Sequence, residues 1–126
     1  MRTTNRKKSL NKNTGALGEE IAAQYLLNRG DEILARNWRI REGELDLITL
    51  DRSGLIHMIE VKTRSSSVFG HPLEAIDSEK AHRIQRLSLA WLATNGALGC
   101  DYQIDAIAVL LNSDGSHTIE IRANVL

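Results

Sequence analysis

The stretch from residue 44 to residue 62 constrains the fold more than any other part of the chain. Two apolar segments, 44 to 50 and 55 to 62, flank Asp51-Arg52-Ser53-Gly54. A three-residue loop that ends on a left-handed glycine is a common hairpin connection, and Arg52-Ser53-Gly54 has glycine at that place. Asp51 then pairs with Leu55, which sets Asp46 opposite Glu60 and Glu44 opposite Lys62. Side chains alternate along a strand, so Asp46, Glu60 and Lys62 are expected on one face and Leu45, Leu47, Ile59 and Val61 on the other. A two-residue loop would move Asp46 to the wrong face, so the inference rests on Gly54.

Charged residues inside apolar strands need a reason. A buried isolated charge costs several kcal/mol, so such groups are paired, ligate a metal or change protonation. One acid with a lysine would be a plain ion pair. Two carboxylates at neighbouring strand positions repel unless a cation or a shared proton lies between them. Oxygen donors with no neighbouring Cys or His point to Mg²⁺ or Mn²⁺ rather than zinc. Such a metal polarises a phosphoryl oxygen and lowers the pKa of bound water, and Lys62 would orient the water or offset charge on phosphorus. The combination describes phosphodiester hydrolysis.

The rest of the chain supplies the frame around the hairpin. Leu17, Ile21, Ala22, Tyr25 and Leu26 recur at helical spacing before Gly30, which predicts a helix over 15–29. A short mixed segment, 32 to 39, reads as an edge strand. Ile84, Leu87, Trp91 and Leu92 make the apolar stripe of a second helix over 78–95, ended by Gly96. Segments 102 to 111 and 117 to 122 read as strands. The order is α-β-β-β-α-β-β, an α/β fold in which a mixed sheet carries helices on its faces, because the central strands are apolar on both sides.

The 16 Lys and Arg balance 16 Asp and Glu, but they are unevenly placed. Residues 1–12 hold Arg2, Arg6, Lys7, Lys8 and Lys12 with no acid. Residues 1–13 are expected to be a basic flexible tail, and 14–126 a single domain of negative charge. Alone, such a tail is a solubilising end; beside a phosphate-binding body it becomes a nucleic-acid contact. The single cysteine, Cys100, excludes an internal disulfide. No run of about 18 apolar residues is present, so no membrane is expected, and the chain reads as cytoplasmic.

At the charged residues the sequence resembles a known family. The frame Gly18-Glu19, Gly43-Glu44-Leu45-Asp46-Leu47-Ile48, Ile59-Glu60-Val61-Lys62-Thr63-Arg64 and Phe69-Gly70-x-Pro72-x-Glu74-Ala75 is similar to the bacterial YraN family. That family looks like a branch of the PD-(D/E)xK nuclease superfamily, near the Holliday junction resolvases. The resemblance implies a restriction-endonuclease-like core and a Mg²⁺- or Mn²⁺-dependent endonuclease acting on DNA or another structured nucleic acid, in repair or recombination. It implies metal ligation by Asp46, Glu60 and the carbonyl of Val61, catalysis by Lys62, and assistance from Glu19 on the first helix. Leu45 stands where the superfamily has proline. Resolvases act on two symmetric strands, which is compatible with a homodimer.

Arg39, Arg41, Arg64, Lys80, Arg83, Lys7 and Lys8 are the candidate phosphate contacts, against a reading of each as solvated surface. Asp105 and His57 are read as structural, and Trp38 and Trp91 as core. Two further functions stay open: a non-catalytic nucleic-acid-binding module on a nuclease fold, and a protein-interaction or assembly factor.

Overall fold

A computed structural model describes residues 2–65 and 77–125, with side chains from residue 14 onward within those spans. The elements are α1 (Arg2–Arg29), β1 (Glu32–Ile40), β2 (Gly43–Leu50), β3 (Ile56–Ser65), α2 (Ser78–Thr94), β4 (Tyr102–Leu111) and β5 (His117–Arg122). The α/β class and the element order are those expected from periodicity. The five strands lie in sequence order, β1-β2-β3-β4-β5. Only β3 and β4 run parallel. That pair needs a crossover, and α2 lies within it. The frame segment 69–75 and His71 lie outside the described residues.

Each helix seals one face of the sheet. Ala22, Ala23 and Leu26 of α1 pack on Leu47, Ile59, Ile107 and Val109. Ile84, Leu87, Trp91 and Leu92 of α2 pack on Leu45, Ile48, Met58 and Ile104. Each of the larger side chains removed from water contributes about 1.5–3 kcal/mol, so these two layers dominate the stability of the fold. Trp91 is in this core and Trp38 packs against its edge, as expected.

α1 runs back to Arg2, whereas the apolar period predicts a start near residue 15. No proline interrupts 2–14, and extending a nucleated helix adds one hydrogen bond per residue fixed, so the helix continues where the stripe ends. Its other end is as expected: Gly30 has φ +99° and Asp31 N–H reaches the Leu26 carbonyl at 3.0 Å, closing the last turn. α2 opens on Asp77, whose carboxylate accepts from Lys80 N–H at 2.8 Å.

The hairpin register is the expected one. Gly54 has φ +91°, Asp51 N–H donates to the Leu55 carbonyl at 3.0 Å, and Thr49↔His57, Ile48↔Met58 and Leu47↔Ile59 pair. The ladder stops at Leu47↔Ile59. One residue further, Asp46 Oδ2 accepts from Val61 N–H at 2.8 Å, taking a donor that a continued ladder would turn toward the β2 backbone. Beyond this point β2 and β3 form a fork, while β3 goes on pairing with β4 as far as Ser65↔Leu111.

The fork corrects one expectation. Leu45 does not share a face with Leu47; it belongs to the α2-side core, and Leu47 to the α1 side. Released from β3, β2 follows β1 alone, where Trp38↔Leu45 and Arg36↔Leu47 flank Asn37. Asn37 is left-handed, with φ +50°, and this irregularity opposite Asp46 breaks the simple alternation.

Candidate metal-binding active site

The open fork between β2 and β3 forms a cleft. It has a volume of about 640 Å³ and is lined by Glu19, Asp46, Glu60, Val61, Lys62 and, from α2, Lys80, with Arg64 at its side. Asp46, Glu60, Lys62 and Glu19, singled out on different segments of the sequence, are thus brought together. Glu19 reaches the cleft because α1 crosses β3 very closely at Gly18. A Cβ at Gly18 would overlap the Thr63 side chain, so only glycine permits this approach.

Asp46 is the most perturbed group in the cleft. Burial, with repulsion from Glu60, Glu19 and Glu44, pushes its carboxyl up to about 7 despite the Val61 N–H bond. Glu19 is raised as well, by burial and by the charges of Glu44 and Glu60. Lys62 is lowered from its ordinary value by burial and by Lys80, with Glu60 opposing. Glu60 itself meets Lys80 Nζ at 2.7 Å, with the two side chains 15% and 23% exposed.

Sequence reasoning did not single out Glu44 as a ligand. Single carboxylate oxygens of Glu19, Glu44 and Asp46 lie within 4.8 Å of one another, the one group of three such side chains found among the described residues. The signal was available, since Glu44 stands two residues before Asp46 in the same strand and so recurs on its face. Three converging acids, of which Asp46 and Glu19 have raised pKa values, and no thiolate or imidazole in the cleft fit a hard divalent cation.

The candidate phosphate contacts are scattered. Lys80 and Arg64 line the cleft. Arg39 is held by Glu44 at 2.8 Å, so it neutralises an acid of the site instead of standing open to a ligand. Arg41 and Arg83 are exposed outside the cleft. The side chains of Lys7 and Lys8 lie outside the described residues. His57 on β3 and Asp105 on β4 do not line the cleft: His57 Nδ1 meets Asp105 at 2.6 Å and Nε2 meets Asp51 at 2.7 Å.

A family model described as "Uncharacterised protein family UPF0102" matches residues 18–109, a range that includes Glu19, Asp46, Glu60, Lys62 and Lys80. The chain belongs to the UPF0102 family. This is the YraN group of nuclease-like proteins that the sequence frame resembles. A UPF0102 protein of Trichlorobacter lovleyi is 44% identical over 110 residues, covering 87% of each chain. A UPF0102 protein of Leifsonia xyli subsp. xyli is 48% identical over 97 residues, covering 76% of this chain and 80% of its own. Another from Mycolicibacterium smegmatis is 48% identical over 96 residues, covering 75% and 77%. Among solved structures, the chain is similar to SfsA of Pyrococcus furiosus in complex with Ca²⁺, with a TM-score of 0.39 and 20% identity, covering 90% of this chain and 63% of that one. No helix among the described residues is long and apolar enough to cross a membrane.

Proposed function

We propose that this UPF0102 chain is a metal-dependent nuclease that hydrolyses phosphodiester bonds of DNA or another structured nucleic acid. The observation that carries the reading is the convergence of Asp46, Glu19 and Glu60 with Lys62 in one open cleft, with Glu44 grouped against Glu19 and Asp46, where Asp46 ionises with difficulty near neutral pH. Asp46, Glu19 and Glu44 would hold Mg²⁺ or Mn²⁺, with Glu60 joining them once Lys80 moves from it to the substrate. Such an ion supplies Lewis-acid polarisation of a phosphoryl oxygen and a more acidic water.

The remaining work falls to the chain's own groups. Lys62 donates hydrogen bonds to a non-bridging phosphoryl oxygen as charge builds there. Its lowered pKa keeps a proton exchangeable beside the attacking water. Lys80 and Arg64 pair with flanking phosphates and fix the scissile bond against the carboxylates. Water gives up a proton as it attacks phosphorus, the bond to the leaving oxygen breaks, and that oxygen takes up a proton in its place.

The Lys80–Glu60 ion pair supports a second reading. It ties up one expected ligand, as a non-catalytic module that only binds nucleic acid would. A cleavage screen over junctions, flaps, single strands and duplexes in Mg²⁺ or Mn²⁺ separates the two, with Lys62→Ala as the control. The nuclease cuts at least one substrate, and Lys62→Ala is slower by about 10²–10³. Binding without cutting in either metal would establish the module instead.

A further inference from the structure

Asn37 belongs to β1 and contributes nothing to the lining of the cleft, yet its backbone is unusual and its side chain reaches the acids. It is one of two non-glycine residues with positive φ among those described, at +50°, and it lies in the middle of a strand directly across from Asp46. Asparagine tolerates this conformation better than most side chains, but a regular strand would not need it. The left-handed residue turns the carboxamide toward the site. Its nitrogen donates to Glu44 Oε1 at 2.8 Å and reaches both carboxylate oxygens of Glu19 at 3.1 Å. The opposite amide orientation would aim an oxygen at three carboxylate oxygens, so chemistry selects the nitrogen.

The consequence is a bridge between two elements. Glu19 comes from α1 and Glu44 from β2, and both are acids that repel each other within the group of three. Asn37 is the neutral donor between them. The other oxygen of Glu44, Oε2, accepts from Arg39 at 2.8 Å, so this side chain is held at both ends. We propose that Asn37 is a positioning residue that ties Glu19 to Glu44 and sets the carboxylate spacing at which the cleft takes a divalent cation. This rests on the metal-dependent reading given above and deepens it. Partners that orient metal-binding side chains are worth about 10–100-fold in metal affinity.

The test separates backbone from side chain. Asn37→Gly keeps the left-handed conformation without strain and removes the amide. Mn²⁺ is titrated by calorimetry into the full chain, into Asn37→Gly, into Glu44→Gln and into the double variant, with the melting temperature of each followed without metal. Asn37→Gly is expected to weaken Mn²⁺ binding about tenfold while the metal-free melting temperature stays within a few degrees. In the Glu44→Gln background the same change is expected to have much less effect, because Asn37 acts through Glu44. Equal Mn²⁺ affinity for Asn37→Gly and the native chain overturns the positioning role alone. A native chain whose Mn²⁺ binding is absent, or is untouched by Asp46→Asn, overturns the metal reading and this inference with it.

Discussion

Asp46 is costly to ionise where it stands. Its carboxyl ionises at about 7 in the folded chain and at about 3.9 unfolded, so the unfolded state binds fewer protons between those values and stability falls as pH rises through that range. Asp46→Asn keeps an acceptor for Val61 N–H and removes the repulsion, so at pH 8 without divalent metal it is expected to stabilise the fold by on the order of 2 kcal/mol, as read by urea unfolding. His57 works in the opposite sense. Burial opposes its charge, but hydrogen bonds to Asp51 and Asp105 outweigh this and raise its pKa. The stability it contributes is full below the unfolded value of about 6.5 and is lost as pH rises through the higher folded value. His57→Gln leaves Asp105 buried without its cationic partner, so it is expected to cost about 3 kcal/mol at pH 6 and clearly less at pH 9, measured by denaturant melts at both.

At the scale of elements, the site depends on two irregularities: the close crossing of α1 over β3 and the fork between β2 and β3. Gly18→Ala forces α1 away from Thr63 and carries Glu19 with it, so it is expected to cost about 1–3 kcal/mol in thermal unfolding. It should also weaken Mn²⁺ binding by more than Leu17→Ala, a change at the neighbouring exposed position. Much of this architecture was legible in the sequence. Periodicity placed both helices and all five strands, and Gly54 fixed the register that brings Asp46 to Glu60. Glu44, two residues before Asp46 in the same strand, was readable from alternation and was overlooked, whereas Leu45 was assigned to the wrong face for a physical reason. Strict alternation assumes a continuous ladder, and the bond from Val61 N–H to Asp46 ends it. A side chain that displaces a backbone partner cannot be read from period two. The early start of α1 escaped because the basic residues before Thr14 carry no apolar stripe.

For the whole molecule, zero net charge hides an asymmetry that matters for a polyanionic ligand. Four of the acids that make residues 13–126 negative, Glu19, Glu44, Asp46 and Glu60, face the site, where a divalent ion offsets them. The five cations of residues 1–12 then remain as the basic first turns of α1. Removing residues 2–12 is expected to reduce the salt dependence of nucleic-acid affinity, by about 0.9 in the log–log slope for each duplex phosphate that the segment would otherwise neutralise, as followed by fluorescence anisotropy between low and moderate salt. An unchanged slope would make the segment a solubilising end. The central claim, that the fork of β2 and β3 cuts phosphodiester bonds with the help of a hard divalent cation, meets its most direct test in single-turnover cleavage. The native chain and Asp46→Asn are compared across a Mg²⁺ titration on the best substrate of the screen. The expected result is cleavage that saturates with Mg²⁺ in the native chain and falls by about 10³-fold or more in a folded Asp46→Asn, the scale on which core catalytic groups act. Equal cleavage by the two proteins, or cleavage by neither, would contradict it.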